Sequence, residues 1–148
     1  MHLFCLIFDE YETLDLMGPV EFLARVPEMK ISYVSFDGGM KRSKQGFFIK
    51  TKKLAKTPKD SVLLLPGGQG TRVLVNDSEF ILKLKECARW VRAGKFYTAS
   101  GVAAGMDMAL GFISDHFGKE LAQKIANETE YNWQKSSKID KFAKIYGY

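Results

Sequence analysis

The fold class this sequence predicts is α/β: a doubly wound sandwich built around a mainly parallel sheet. Three observations predict it. Short, continuously apolar runs such as His2–Phe8 and Ser61–Leu65 have the length of strands buried on both faces. Between them lie segments of helical periodicity, so strands and helices alternate. The runs also end in glycine-rich turns, Asp37-Gly-Gly39, Pro66-Gly-Gly-Gln-Gly70 and Ser100-Gly101.

The elements follow in order. His2–Phe8 reads as a first, buried strand, because it is too continuously apolar to be half-exposed. Leu14–Val26 reads as a helix entered near Gly18-Pro19, since proline suits a first helical turn where its missing N–H is not needed. Ile31–Phe36 alternates as a second strand. Gln45–Lys50 is a short strand, paired with Lys52–Leu54. Ser61–Leu65 is another buried strand. Asn76-Asp-Ser-Glu79 has the form of a helix start, with Phe80, Leu82 and Leu84 on the apolar side. Ala88–Val91 and Lys95–Thr98 flank Arg92-Ala-Gly94 as a hairpin. Met106–His116 and Lys119–Asn127 are helices broken at Phe117-Gly118, and a polar tail begins at about residue 132.

Composition bounds the class. A chain of 148 residues, 46% hydrophobic and 26% charged, fits one globular domain spanning 1–148. Its apolar runs are too short to span a bilayer, and the apolar N-terminus meets Asp9-Glu10 without a preceding basic region. Two cysteines, Cys5 and Cys87, form no disulfide framework, so the expected location is cytoplasmic. The net charge of +5 is concentrated locally, with eight basic residues between Lys41 and Lys59 and Phe47-Phe48 among them. A single-stranded nucleic-acid groove has that composition. With no nucleic-acid module signature present, a solvated hairpin is the preferred account and no nucleic-acid partner is expected. Two isolated histidines and the absence of ligand spacing point to no metal site. Gly67-Gly-Gln-Gly70 matches neither phosphate-binding glycine fingerprint, and no cofactor is expected.

Three blocks of the chain resemble the DJ-1/PfpI superfamily, related to class I glutamine amidotransferases. Leu14-Asp-Leu-Met-Gly-Pro19 with Glu21 is similar to the acidic turn of the isonitrile hydratase-like branch. Leu64-Leu-Pro-Gly-Gly68 is similar to the glycine loop, and Ala99-Ser-Gly-Val-Ala-Ala-Gly-Met-Asp107 to the late strand-to-helix turn. The resemblance implies a flavodoxin-like fold, a homodimer, a small-molecule substrate and cofactor-free hydration or hydrolysis of a small electrophile. It assigns the acid role to Asp15 and backbone-donor roles to Gly67 and Gly68, with Ser100 and Gly101 at the substrate side. Capping of its own helix is an equal account of Asp15. Glu21 is turned either to the pocket or to solvent, and Asp107 is expected to support the turn into its helix.

One block of the pattern is missing. The strand and strained turn that carry the reactive cysteine belong between Lys85 and Ala88, where Lys85-Glu-Cys-Ala88 joins two elements directly. A βα unit of roughly thirty residues is absent there. Cys87 has cationic neighbours but no small-residue turn to present its sulfur, so it is a poor substitute for the nucleophile. Three possibilities therefore stay open: an isonitrile hydratase-like enzyme, a non-catalytic ligand- or partner-binding member, and an internally truncated inactive copy.

Overall fold

The computed structural model describes residues 1–55, 57–58, 61–74, 76, 78, 97, 99 and 102–136. Among these, β1 (His2–Leu6), β2 (Lys30–Ser35), β3 (Gly39–Arg42), β4 (Phe48–Lys53) and β5 (Ser61–Leu64) form one sheet in the order β3-β4-β2-β1-β5. β1 pairs in parallel with β2 (Leu3↔Ile31, Cys5↔Tyr33) and with β5 (Leu3↔Val62, Cys5↔Leu64). Flanked on both sides, it has the buried character its unbroken apolar run predicts; Leu3 and Cys5 are fully buried. β2 pairs in parallel with β4, and among the described strands only β3 runs antiparallel. The mainly parallel α/β architecture read from the sequence is thus the observed one.

Helices α1 (Thr13–Leu23), α2 (Gln69–Leu74), α3 (Val102–Phe117) and α4 (Lys119–Glu128) complete the described elements. The core is closed by Leu16 of α1, Leu110 and Ile113 of α3, and Ala122 and Ile125 of α4, packed with Leu3, Cys5 and Ile7. Gly118, at φ +100, separates α3 from α4 where the sequence places a break.

Two local expectations are corrected. The first helix does not begin at Gly18-Pro19: it begins at Thr13, and Pro19 lies inside it. The proline ring removes one intrahelical bond, but the pair serves another purpose. Gly18 and Pro19 are buried against α3, where a Cβ on Gly18 would come within 2.7 Å of Met106 Cγ. Gly105 faces the Pro19 ring across the same contact. Small residues there bring the two helices together. The true N-terminus is capped from a distance. Gln45 Oε1 accepts from Thr13 N–H at 3.1 Å and from Thr13 Oγ1 at 2.6 Å, while Gln45 Nε2 donates to Glu12 Oε1.

The second correction concerns the basic stretch. Gln45–Lys50 and Lys52–Leu54 are not partners; β4 runs unbroken from Phe48 to Lys53 and pairs with Gly39–Arg42. Gly46, at φ +91, makes the turn, with Ser43 N–H donating to Phe47 O at 2.8 Å. Gln134 N–H donates to Asp107 Oδ1 at 2.9 Å, and Tyr131 packs on Phe22 at 5.2 Å between ring centres.

Candidate functional site

The chain leaves β1 for β2 on one side and returns to β5 on the other. Ligand crevices in such sheets open outside the carboxyl ends of the strands at this switch. Two loops meet there: residues 9–12 after β1 and residues 65–68 after β5.

Their contact is close and made by backbone. Glu12 N–H donates to Gly67 O at 2.9 Å, and Gly70 N–H donates to Glu10 O at 3.3 Å. Tyr11 and Gly68 form an antiparallel bridge. Gly68 has φ +134, and a Cβ there would lie 2.6 Å from Glu10 O and 2.7 Å from Glu12 N. Only glycine lets the second loop seat on the first. Glu10, at φ +61, supplies the matching bend on the other side.

Asp15 projects from the first turn of α1 into this junction. Its Oδ2 accepts from Gly67 N–H at 3.1 Å, so its carboxylate is engaged by the glycine loop instead of capping its own helix. Burial pushes its pKa above the ordinary carboxylate value and the neighbouring Glu12 charge adds to the rise, while the Gly67 N–H opposes it. The arrangement is a half-buried acid with a raised pKa beside a loop of backbone amides. The Gly67 N–H is committed to Asp15. The Gly68 N–H has no hydrogen-bond partner among the described residues.

The other candidates fall elsewhere. Glu21 is turned to solvent and pairs with Arg25 at 2.5 Å. Asp107 accepts from the Gln134 backbone N–H, and the turn it is expected to support lies outside the described residues. Cys5 is a core residue: it is fully buried in β1, and burial pushes its thiol up to about 12. His2 bonds Ser32 Oγ at 2.9 Å at the opposite end of β1 from the crevice, and His116 stacks on Phe112 at 4.3 Å. No group of three potential ligands that could hold a metal occurs among the described residues. Cys87, Ser100, Gly101, the hairpin around Gly94 and the junction from Lys85 to Ala88 lie outside the described residues.

Sequence reasoning missed one feature beside the crevice. A cavity of about 500 Å³ opens at the ends of β1 and β2, lined by Phe8, Asp9, Ser35, Asp37, Lys41 and neighbours. Lys41 is buried there, with Nζ 2.7 Å from Asp37 Oδ2, and it holds the Asp37 carboxyl below its ordinary pKa. Period-two alternation along β3 could have marked Lys41 as inward-facing, but only once the strand boundaries were known.

With this geometry in place, comparison with known proteins is informative. No protein-family profile matches the chain. The isonitrile hydratase of Pseudomonas putida is 25% identical over 174 residues, covering 85% of this chain and 76% of that protein. An alignment of that length exceeds the 148 residues of this chain, so parts of the relative have no counterpart here. Among solved structures, a ThiJ/PfpI family protein from Pseudomonas syringae superposes with a TM-score of 0.75 at 18% identity, covering 88% of this chain and 75% of that one. Drosophila melanogaster DJ-1beta gives 0.67 at 14% identity, covering 89% and 98%. The architecture is that of the flavodoxin-like DJ-1/ThiJ/PfpI proteins, and the superfamily resemblance read from the sequence is borne out.

Proposed function

We propose that the crevice between Asp15 and the Gly67–Gly68 loop binds a small electrophile of the isonitrile class, and that Asp15 handles the proton in its hydration. One observation carries the proposal: the Asp15 carboxyl, with its pKa raised by burial, is held 3.1 Å from a glycine-loop amide at the switch point of the sheet. The similarity to isonitrile hydratase supplies the substrate class.

The chemistry balances without a cofactor. The protonated fraction of Asp15, enlarged by its raised pKa, gives its proton to the terminal isonitrile carbon, and water adds to the same carbon. The resulting carboxylate takes the proton that water releases, and tautomerisation yields the N-substituted formamide. The Gly68 N–H is the amide left to donate to the nitrogen lone pair that forms as water adds. A route through a covalent sulfur intermediate requires a reactive thiol. Cys5 is buried, with its pKa raised to about 12, and the sequence around Cys87 offers no elbow. Water therefore adds directly. Following the superfamily resemblance, the proposal extends to a cytoplasmic homodimer. Among the described residues no helix is long and apolar enough to cross a membrane.

The test is incubation with a small alkyl isonitrile, with formamide followed by proton NMR. Formamide above the protein-free rate, lost in Asp15→Asn, is the expected result. Stabilisation of the protein by the isonitrile without turnover would instead make the chain a binding member. The absence of both turnover and stabilisation would refute the proposed site.

A further inference from the structure

The β3–β4 hairpin presents a sheet face that a simple solvated hairpin does not need. In its register Met40 pairs with Lys50 and Arg42 with Phe48. Alternation puts Phe48, Lys50 and Lys52 on one face of β4, beside Met40 and Arg42 of β3, and all five are exposed. Their partners on the other face, Lys41, Ile49 and Thr51, are turned inward. Phe47 and Phe48 are each 61% exposed and Met40 55%, the largest exposures among the large apolar side chains of the described residues.

The charge along this stretch of the chain is one-signed. From Lys41 to Lys59 the chain carries eight basic residues and no acid. Lys41 is taken up internally by Asp37, and Arg42 reaches Glu10 at 3.2 Å. No ion pair among the described residues engages Lys44, Lys50, Lys52 or Lys53. Lysines alone would protect the edge strand β3 from pairing; exposed phenylalanines work against that end. A second copy related by a two-fold axis would set this cationic face against itself.

We propose that the face formed by Met40, Arg42, Phe48, Lys50 and Lys52 binds a single-stranded polynucleotide. Aromatic rings on an open sheet face stack bases of any sequence, and flanking cations track the phosphates. Phe48 and Lys52, four residues apart, span about 14 Å of strand, enough for a short stretch of extended nucleic acid. The Phe48–Arg42 pair gives a base one planar platform with a guanidinium beside it.

The test is fluorescence anisotropy of the full chain with labelled 20-nucleotide oligo(dT) and oligo(U), alongside a duplex of the same length. Single strands should bind more tightly than duplex. With about three phosphates neutralised, affinity should fall about 20-fold between 50 and 200 mM salt. Phe48→Ala should weaken binding roughly 5- to 100-fold and leave the salt dependence intact. Lys50→Glu with Lys52→Glu should abolish binding. All three positions are exposed, and unchanged melting temperatures would show that the fold is kept. DNA and RNA are distinguished by the two oligonucleotides. Four results would overturn the proposal: no binding at 50 mM salt; binding indifferent to Phe48→Ala; binding only to phosphatidylserine vesicles; or dissociation of a dimer by Phe48→Ala, which would assign the face to a second copy.

Discussion

Replacing Gly68 by alanine tests the junction on which the candidate site depends. At φ +134 an alanine is strained by about 1–3 kcal/mol. Its Cβ would also press on backbone from three residues, at 2.6 Å from Glu10 O, 2.7 Å from Glu12 N and 3.0 Å from Tyr11 C. None of these is the end of a flexible side chain. The 65–68 loop must therefore lift away from residues 10–12, loosening the bonds from Glu12 N–H to Gly67 O and from Gly70 N–H to Glu10 O. Each is worth about 1 kcal/mol. The combined loss is about 3–5 kcal/mol, which for a chain of this length lowers Tm by about 10–15 °C. Gly39→Ala is the control. Gly39 also has positive φ, +81, but its Cβ would meet nothing within 4 Å, so only the backbone term of about 1–2 kcal/mol applies. Thermal denaturation followed by circular dichroism reads both variants. If Gly68→Ala melts no lower than Gly39→Ala, the two loops are not in contact and the site as described is wrong.

Two further outcomes follow from buried polar groups. Asp15 has a folded pKa raised above its unfolded value, so its contribution to stability is present below the unfolded value and lost as pH rises through the folded one. At pH 7 the ionised carboxylate opposes folding. Asp15→Asn, which keeps an acceptor for Gly67 N–H, should raise Tm at pH 7 by an amount that narrows toward pH 4. A lower Tm at pH 7 would reverse the assigned cause. Tyr11 is fully buried and its hydroxyl has no hydrogen-bond partner of good geometry, although Ser43 draws its raised pKa partway back. Removing an unsatisfied buried hydroxyl relieves a desolvation penalty, so Tyr11→Phe should be neutral or stabilising by up to about 1 kcal/mol. Urea unfolding checks it, and a loss above 1 kcal/mol would show that the hydroxyl is satisfied.

The sequence by itself determined the class of fold. Unbroken apolar runs such as His2–Phe8 have the length of strands covered on both faces, and glycine turns such as Pro66-Gly-Gly68 mark where such strands end. It also named Asp15 and Gly67, although it left open whether the carboxylate capped its own helix. Only the tertiary structure decided that question, by placing the Gly67 N–H where the carboxylate could accept from it. It likewise decided the start of α1, because the cap comes from Gln45, thirty-two residues away, and local propensity carries no trace of so distant a partner. Gly18-Pro19 was misread for the same reason: a small residue beside proline looks like a helix start locally, while its role is to let α3 approach. The hairpin face was ambiguous until strand register was known, since a shift of one residue along β4 would have turned Phe48 inward. Periodicity and turn chemistry are local properties of a chain, and they fix its elements. Caps, helix contacts and the outward face of a strand depend on residues far apart in sequence, and these acquire partners only when the chain has folded.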